Sequence, residues 1–458
     1  MPYEPPPTGR RKRPAFKRAL YAGYIVGTMV LLCVLAVLLF QDTLVNRFIK
    51  PRITKAFADA YPAYSLRIAD MNYNILKNRL GFDSVALSAV DGTFSSTMGR
   101  VSVSGIGWLH MIWSGTAKSR DFADAMAESQ DAVLNLSQSH STLHFERLHV
   151  SVPDSEIVID SMKFHPSGDD EQFFGESKSR STRFRAHVPM VRVRGIACLK
   201  MLEEKVYSAR SVAIRDASID VLVNKDKPNN REAASPLMLN EMLTSVKETL
   251  RIDSLIILDG RVKYSERFEV GAKPAWITFD HIRMVTVGIV NRGTRGAALY
   301  VQAQWNLANA GTMKLLMSIP IVSPGCSLQY TGSLSAMNLS AFNSFLEVSD
   351  RMRIKTGVLE SVSFDVNIVS GRASGTVRGI YKDLSIAAID KYTRSEKGFS
   401  NGVASWIANT FKINRNNIPD KSGSIRLGKV NYRRTQEDSF VNVVWFSLRT
   451  GVQDVGGF

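Results

Sequence analysis

Apolar and polar residues alternate without a break from Ser361 to Ile368. Val362, Phe364, Val366 and Ile368 fall on one side, and Ser361, Ser363, Asp365 and Asn367 on the other. A period of two is the mark of a β-strand with one apolar face. Ser370-Gly371 then supplies a turn, and Ala373 to Tyr381 returns as the partner strand. Leu66-Arg67-Ile68, Val191-Arg192-Val193 and Ile425-Arg426-Leu427 show the same alternation, with arginine on the wet side. The pattern predicts strands for most of the chain beyond residue 63.

A weak internal repeat supports a meandering sheet. Ser211 to Val221 (SVAIRDASIDV) matches Ser254 to Tyr264 (SLIILDGRVKY) in its apolar positions, its Asp and its small residue. Each copy reads as strand, tight turn at Asp216-Ala217 or Asp259-Gly260, and second strand. Ser84 to Leu87, leading to Asp91-Gly92, is a looser copy. Helical insertions are expected at Ala117 to Gln138, Leu237 to Leu250, Ala341 to Arg351 and Val403 to Phe411. Gly168 to Arg183 and Asn224 to Ser235 read as polar loops.

The N-terminus breaks the pattern. Leu20 to Phe40 holds twenty-one residues without a charge, behind Arg10, Arg11, Lys12, Arg13, Lys17 and Arg18. At about 1.5 Å per residue such a run spans roughly the 30 Å core of a bilayer. The leading cations hold the tail on the cytoplasmic side, which sends the rest across. The run is too long for a signal peptide and lacks an A-x-A cleavage site, so it reads as a retained anchor. Thr43 to Tyr61 has apolar residues near helical spacing, with Pro51 to kink it, and predicts a short amphipathic helix at the bilayer surface. The predicted organisation is a basic tail (1–19), transmembrane helix (20–41), juxtamembrane helix (42–62) and an exported domain (63–458).

Composition adds limits. The chain is 45% hydrophobic and 22% charged, as expected of a folded protein. Its formal charge is +16, but the basic residues beyond the tail are scattered along strands. Across a membrane nucleic acid is not the expected partner, and the surplus reads as solvated strand faces with affinity for anionic headgroups. Cys33, Cys198 and Cys326 give neither a disulfide framework nor metal spacing. Two separate buried thiols at Cys198 and Cys326 are favoured over one bridge between them.

Two stretches carry a family resemblance. One is the anchor followed by SLRIADMNYNILKNRLGFDSVALSAVDGTF and GRVSVSGIGWL. The other runs from Gly332 to Ile389, where GSLSAMNLSAFNSFLEV leads into MRIKTGVLESVSFDVNIVSGRASGTVRGIYKDLSIAAID. Together they resemble the AsmA-like family, related to TamB and the bridge-like lipid transfer proteins. Ser344 stands where that family usually has Pro. The resemblance implies a mainly β fold with helical insertions, an elongated, curved antiparallel sheet whose apolar face is a hydrophobic groove. It also implies phospholipid as the cargo, moved between inner and outer membranes. Periodicity alone fits an ordinary half-buried sheet packed on its own helices. The anchor, the repeat and the resemblance together favour the groove.

On that reading Val362, Phe364, Val366 and Ile368 line the groove, with Leu66, Ile68, Val191, Val193, Ile214 and Ile257 beside them. No cofactor, metal or catalytic residue is expected. Gly398 to Gly402 fits G-x-S-x-G, but that motif needs a buried strand before it, and Lys391 to Lys397 is polar. Ser400 reads as a helix cap, and an envelope serine hydrolase is the remote alternative. His140, His144 and His149 lack a completing Cys or carboxylate, and His144 and His149 should point oppositely on a strand. A scaffold for outer-membrane assembly, working through sheet edges, is the nearer alternative. About fifteen to eighteen strands at about 4.8 Å give a sheet on the order of 70–90 Å long. That is short for an envelope, so a partner is expected, either a second copy or an envelope protein. The apolar Phe440 to Phe446 would meet it as an open edge strand.

Overall fold

The structure is a computed structural model that describes residues 28–30, 40–107, 119–230, 234–293, 296–323, 325–389 and 414–457. The predicted anchor and the predicted helix at 403–411 therefore lie mainly or wholly outside the described residues. Among the described residues no helix is long and apolar enough to cross a membrane. The chain leaves residue 40 as helix and passes through a π-helical turn, Val45–Ile49. It then continues without a break into α1, Lys50–Ala60, where Pro51 has no N–H to give the preceding turn and the π-helical turn directly before it takes up the irregularity.

Everything else is organised by one curved sheet of 18 strands. β1 (Tyr64–Asn74), β2 (Arg79–Ala89), β3 (Phe94–Ser104), β4 (Met126–Leu136), β5 (Ser141–Ser151), β6 (Glu156–Pro166) and β7 (Ser181–Arg194) pair in chain order, all antiparallel. β8 (Val206–Arg215) and β9 (Ser218–Asn224) both pair with β7 and so act as one broken strand. A crossover then leads to β10 (Thr249–Arg267), which lies parallel to that broken strand. Antiparallel order resumes through β11 (Ala275–Val290), β12 (Ala298–Leu307), β13 (Gly311–Pro320) and β14 (Leu328–Leu334). β14 and the two-residue β15 (Met337–Asn338) pair with β16 (Met352–Val369), which continues to β17 (Arg372–Ala388) and β18 (Gly428–Arg433). The hairpin read from Ser361 to Tyr381 is present, turning at Ser370 and Gly371, both at positive φ.

The internal repeat has a different meaning from the hairpins expected of it. Its two copies pair with each other, Ser211 with Ser254 and Ile219 with Val262, and neither reverses direction. Asp216 (φ 54°) and Asp259 (φ 56°) are kinks within continuing strands. Ser84, Asp131, Ser161 and His281 hold the same left-handed conformation in β2, β4, β6 and β11. Each kink resets the alternation, so the inward positions on β6 are Ile157, Ile159, Met162 and Phe164, spaced two, three, two. His144 and His149 share the polar face of β5 for this reason, because the kink opposite Glu146 cancels their odd spacing.

Other expectations fail on tertiary grounds, among them the alternation at Ile425 to Leu427, which lies outside the last strand. Over the described residues 119–138 the helix expected from Ala117 to Gln138 does not form: Ser119–Phe122 is a 3-10 turn and Met126–Leu136 is β4, because Ala127, Ala132 and Leu134 follow the kinked strand pattern. Leu237 to Leu250 yields only α4, Leu239–Thr244, since β10 claims the chain from Thr249. Phe440 to Phe446 opens a helix, α6 (Phe440–Gly456), and offers no strand edge. Ser439 caps it, and its buried positions Val443, Ser447, Gly451 and Val455 step by four. The loop expected at 168–183 holds α2 (Asp170–Glu176), and α3 (Cys198–Glu204) follows β7. The helix expected near Ala341 is α5, Asn343–Ser349, behind a 3-10 turn.

Candidate functional site

The register of the strands builds one feature that no single strand shows. Phe82, Val101, Ser129, Leu148 and Ile159 stand opposite one another in turn across β2 to β6. The row continues through Val191, Ile214, Ile257 and Met284 on β7, β8, β10 and β11. It ends through Ala303, Leu315, Gly332, Phe364 and Val377. A second row, two residues along each strand, carries Val103, Val150, Ile157, Val193, Val212 and, on β16, Val366. At about 4.8 Å per strand these rows run for roughly 60–70 Å.

Six of the ten residues nominated from sequence therefore lie in two adjacent rows: Val191, Ile214, Ile257 and Phe364 in the first, Val193 and Val366 in the second. Leu66 and Ile68 lie one strand end away on the same apolar face, in the cluster of Met71, Leu80 and Val85. Val362 and Ile368 flank Phe364 and Val366 on β16.

Cover differs along this face. At the N-terminal end Val45 of the π turn and Ile53 of α1 close over Ile68 and Met71. At the C-terminal end Phe364, Val366 and Ile368 belong to a packed core with Tyr330, Val377 and, from α6, Val443 and Val455. Val366 is 0% and Ile368 1% exposed, so the strongest sequence nominations stand under a helix rather than on an open wall. α6 approaches so closely because Gly451 meets Gly428. A Cβ at Gly428 would lie 2.0 Å from the Gly451 carbonyl oxygen. The Tyr330 hydroxyl donates to the Val444 carbonyl at 2.9 Å, and burial pushes its phenol pKa up.

Between these ends the cover stops. The cluster around Val188, Val191 and Ala217 contains no helical residue, and Ile159, Met162, Val212 and Ile214 pack against it. Leu148, Val150, Ile157 and Ile159 are half-exposed. The weaker sequence nominations, Val193, Ile214 and Ile257, are half-exposed too. Residues Phe82, Val101, Leu148 and Ile159 were not singled out from sequence. The signal that finds them is the two, three, two spacing, which a search for strict alternation discards at each kink.

The opposite face is charged. Arg100 meets Asp83, Arg147 meets Asp160, and Arg194 meets Glu156 at 2.9 Å. Glu146 accepts from Ser161 and Lys163, which hold its carboxyl below the usual range. α2 packs on this side, where Arg183 is 4% exposed and lies between Asp170 and Asp220 at 3.1 and 3.2 Å. Arg267 covers the Phe174 ring at 4.6 Å. From β2 to β9 one face of the sheet is thus ion-paired, while the two rows on the other are apolar except at Ser129.

Among the described residues no group of three His, Cys, Asp or Glu is placed to hold a metal ion. Cys198 and Cys326 are free and buried, and burial pushes both thiols up. Ser400 and its motif lie outside the described residues. No family model matches the chain, and no curated protein matches it significantly.

Proposed function

We propose that this protein binds phospholipid on the apolar face of its sheet and helps move it between the inner and outer membranes. In this reading it is anchored in the inner membrane by Leu20 to Phe40, with its sheet in the periplasm. The observation that carries it is the pair of largely apolar rows, unbroken in register from β2 to β17 and, among the described residues, without helical packing in the cluster at their middle. Moving a lipid through water exposes its chains at about 0.8 kcal/mol per methylene, on the order of 24 kcal/mol for two chains of about fifteen. A half-exposed aliphatic lane removes most of that cost while the headgroup stays wet. The ion-paired opposite face keeps the same sheet soluble. No catalytic group is required, and a partner of envelope origin or a second copy would complete the span.

A photo-reactive residue at Leu148 tests the reading in the full chain in cells. Capture of phospholipid, identified by mass spectrometry, is the expected outcome. Capture of protein alone at Leu148 would instead favour an assembly scaffold and sink the lipid lane.

A further inference from the structure

The loops at one edge of the C-terminal strands are laced together. Asn240 on α4 donates to the Ser323 and Gly325 carbonyls at 3.2 and 3.4 Å. The Gly371 amide donates to the Cys326 carbonyl at 2.7 Å, and the Arg434 amide to the Gly371 carbonyl at 2.8 Å. The Arg434 guanidinium returns to the Pro236 carbonyl at 2.7 Å. Asn291, at the end of β11, donates to the Val246 carbonyl at 2.9 Å. These bonds join the crossover, the β13–β14 loop, the β16–β17 turn and the end of β18 into one platform.

Its tips are apolar and wet. Leu237 and Met242 are each 52% exposed, Val322 54% and Val369 58%. Connecting loops usually present polar residues, so four aliphatic tips on one laced edge need an apolar counterpart. Lys247, Arg292, Arg372 and Arg433 are exposed on the same segments and make no ion pair among the described residues, although the Arg292 guanidinium donates to the Lys247 carbonyl. The acids there are engaged or screened. Glu241 accepts from the Met238 amide, Glu437 bonds Asn229, and Glu248 is half-buried. Aliphatic tips interleaved with cations that have no acidic partner fit the boundary of an anionic bilayer, where the tips reach the acyl region and the cations meet phosphates.

We propose that this platform docks on the surface of an anionic bilayer. The proposal rests on the lipid-handling reading for its purpose, since it gives the covered end of the apolar lane a membrane to meet.

The test uses the full chain on a Cys33→Ala background, held in a nanodisc of zwitterionic lipid. Cys198 and Cys326 are buried. An environment-sensitive dye is placed at Val369→Cys, at Val322→Cys, or at Val270→Cys, the last on the opposite strand edge and 68% exposed. Vesicles of equal parts phosphatidylglycerol and phosphatidylcholine should shift the dye to the blue at 369 and 322 and leave it unchanged at 270. Arg372→Glu with Arg433→Glu should weaken vesicle binding by about fivefold or more per cation. Unshifted tip dyes, equal shifts at 270, or shifts that need an added protein would overturn the platform. Lipid carried by the chain is measured separately. Failure to bind vesicles with the lipid load intact sinks this proposal alone, and an empty lane on a platform that still binds sinks the other.

Discussion

Two aspartate substitutions separate an open lane from a packed core. Ile159 is half-exposed, against a cluster that contains no helical residue. Burying an isoleucine fully stabilises by about 1.5–3 kcal/mol, so a half-buried one loses about 1–2 kcal/mol on replacement by aspartate, whose carboxylate can still reach water. Val366 is 0% exposed beneath Tyr330 and α6. There the lost burial is joined by the several kcal/mol of taking an unpaired carboxyl out of water, so the total reaches about 5 kcal/mol or more. That is comparable to the whole stability of a domain, about 5–15 kcal/mol. The assay is urea unfolding of the purified full chain, with bound lipid counted by mass spectrometry. Ile159→Asp should stay folded with a small midpoint shift and a lipid load cut by half or more. Val366→Asp should fail to fold or unfold in very little urea. If Ile159→Asp collapsed like Val366→Asp, Ile159 would be core and the lane would not exist. If it folded and carried its full load of lipid, the lane would not be where lipid binds.

Three further outcomes follow from particular contacts. Gly451→Val should cost about 3 kcal/mol in thermal unfolding, because its Cβ would stand 2.4 Å from Val377 Cγ2 and 2.9 Å from Val430 Cγ2. An unchanged midpoint would mean that α6 does not dock there. Ser161 holds φ 52°, which costs a non-glycine residue about 1–2 kcal/mol, so Ser161→Gly should stabilise by up to about 1 kcal/mol and Ser161→Val should destabilise. Equal effects would argue against the kink. Asp454 accepts from the Lys429 amide at 2.7 Å, and that bond, with Arg426 at 3.2 Å, lowers its pKa. Its contribution should be complete above the unfolded carboxyl value of about 3.9 and fade as pH falls through the lower folded value. Melts of Asp454→Asn should therefore lie below those of the parent at pH 7 and converge with them in strong acid.

The strand character of this chain was legible because alternation is local. Val362 to Ile368 and Val191 to Val193 announce one apolar face each, and the hairpin at Ser370-Gly371 carries its own turn residues. The number of strands followed from the same reading. Where alternation stops, local reading failed. Asp216 and Asp259 look like turn residues, yet in the fold they kink strands that continue, because their partners kink beside them and keep the backbone bonds. Phe440 to Phe446 has the composition of a strand, but the ten residues beyond it set a four-residue spacing that docks on Gly428, and packing outweighs propensity. The nominated residues show the same division. Sequence alone determined that Phe364, Val191 and Ile214 are apolar-face residues of separate strands. Only the tertiary structure decided that they share one row, because register is a property of pairs of strands. It also decided that the row is closed under α6 at Phe364 and half-exposed at Ile214, since cover depends on a helix that lies beyond the last strand of the sheet.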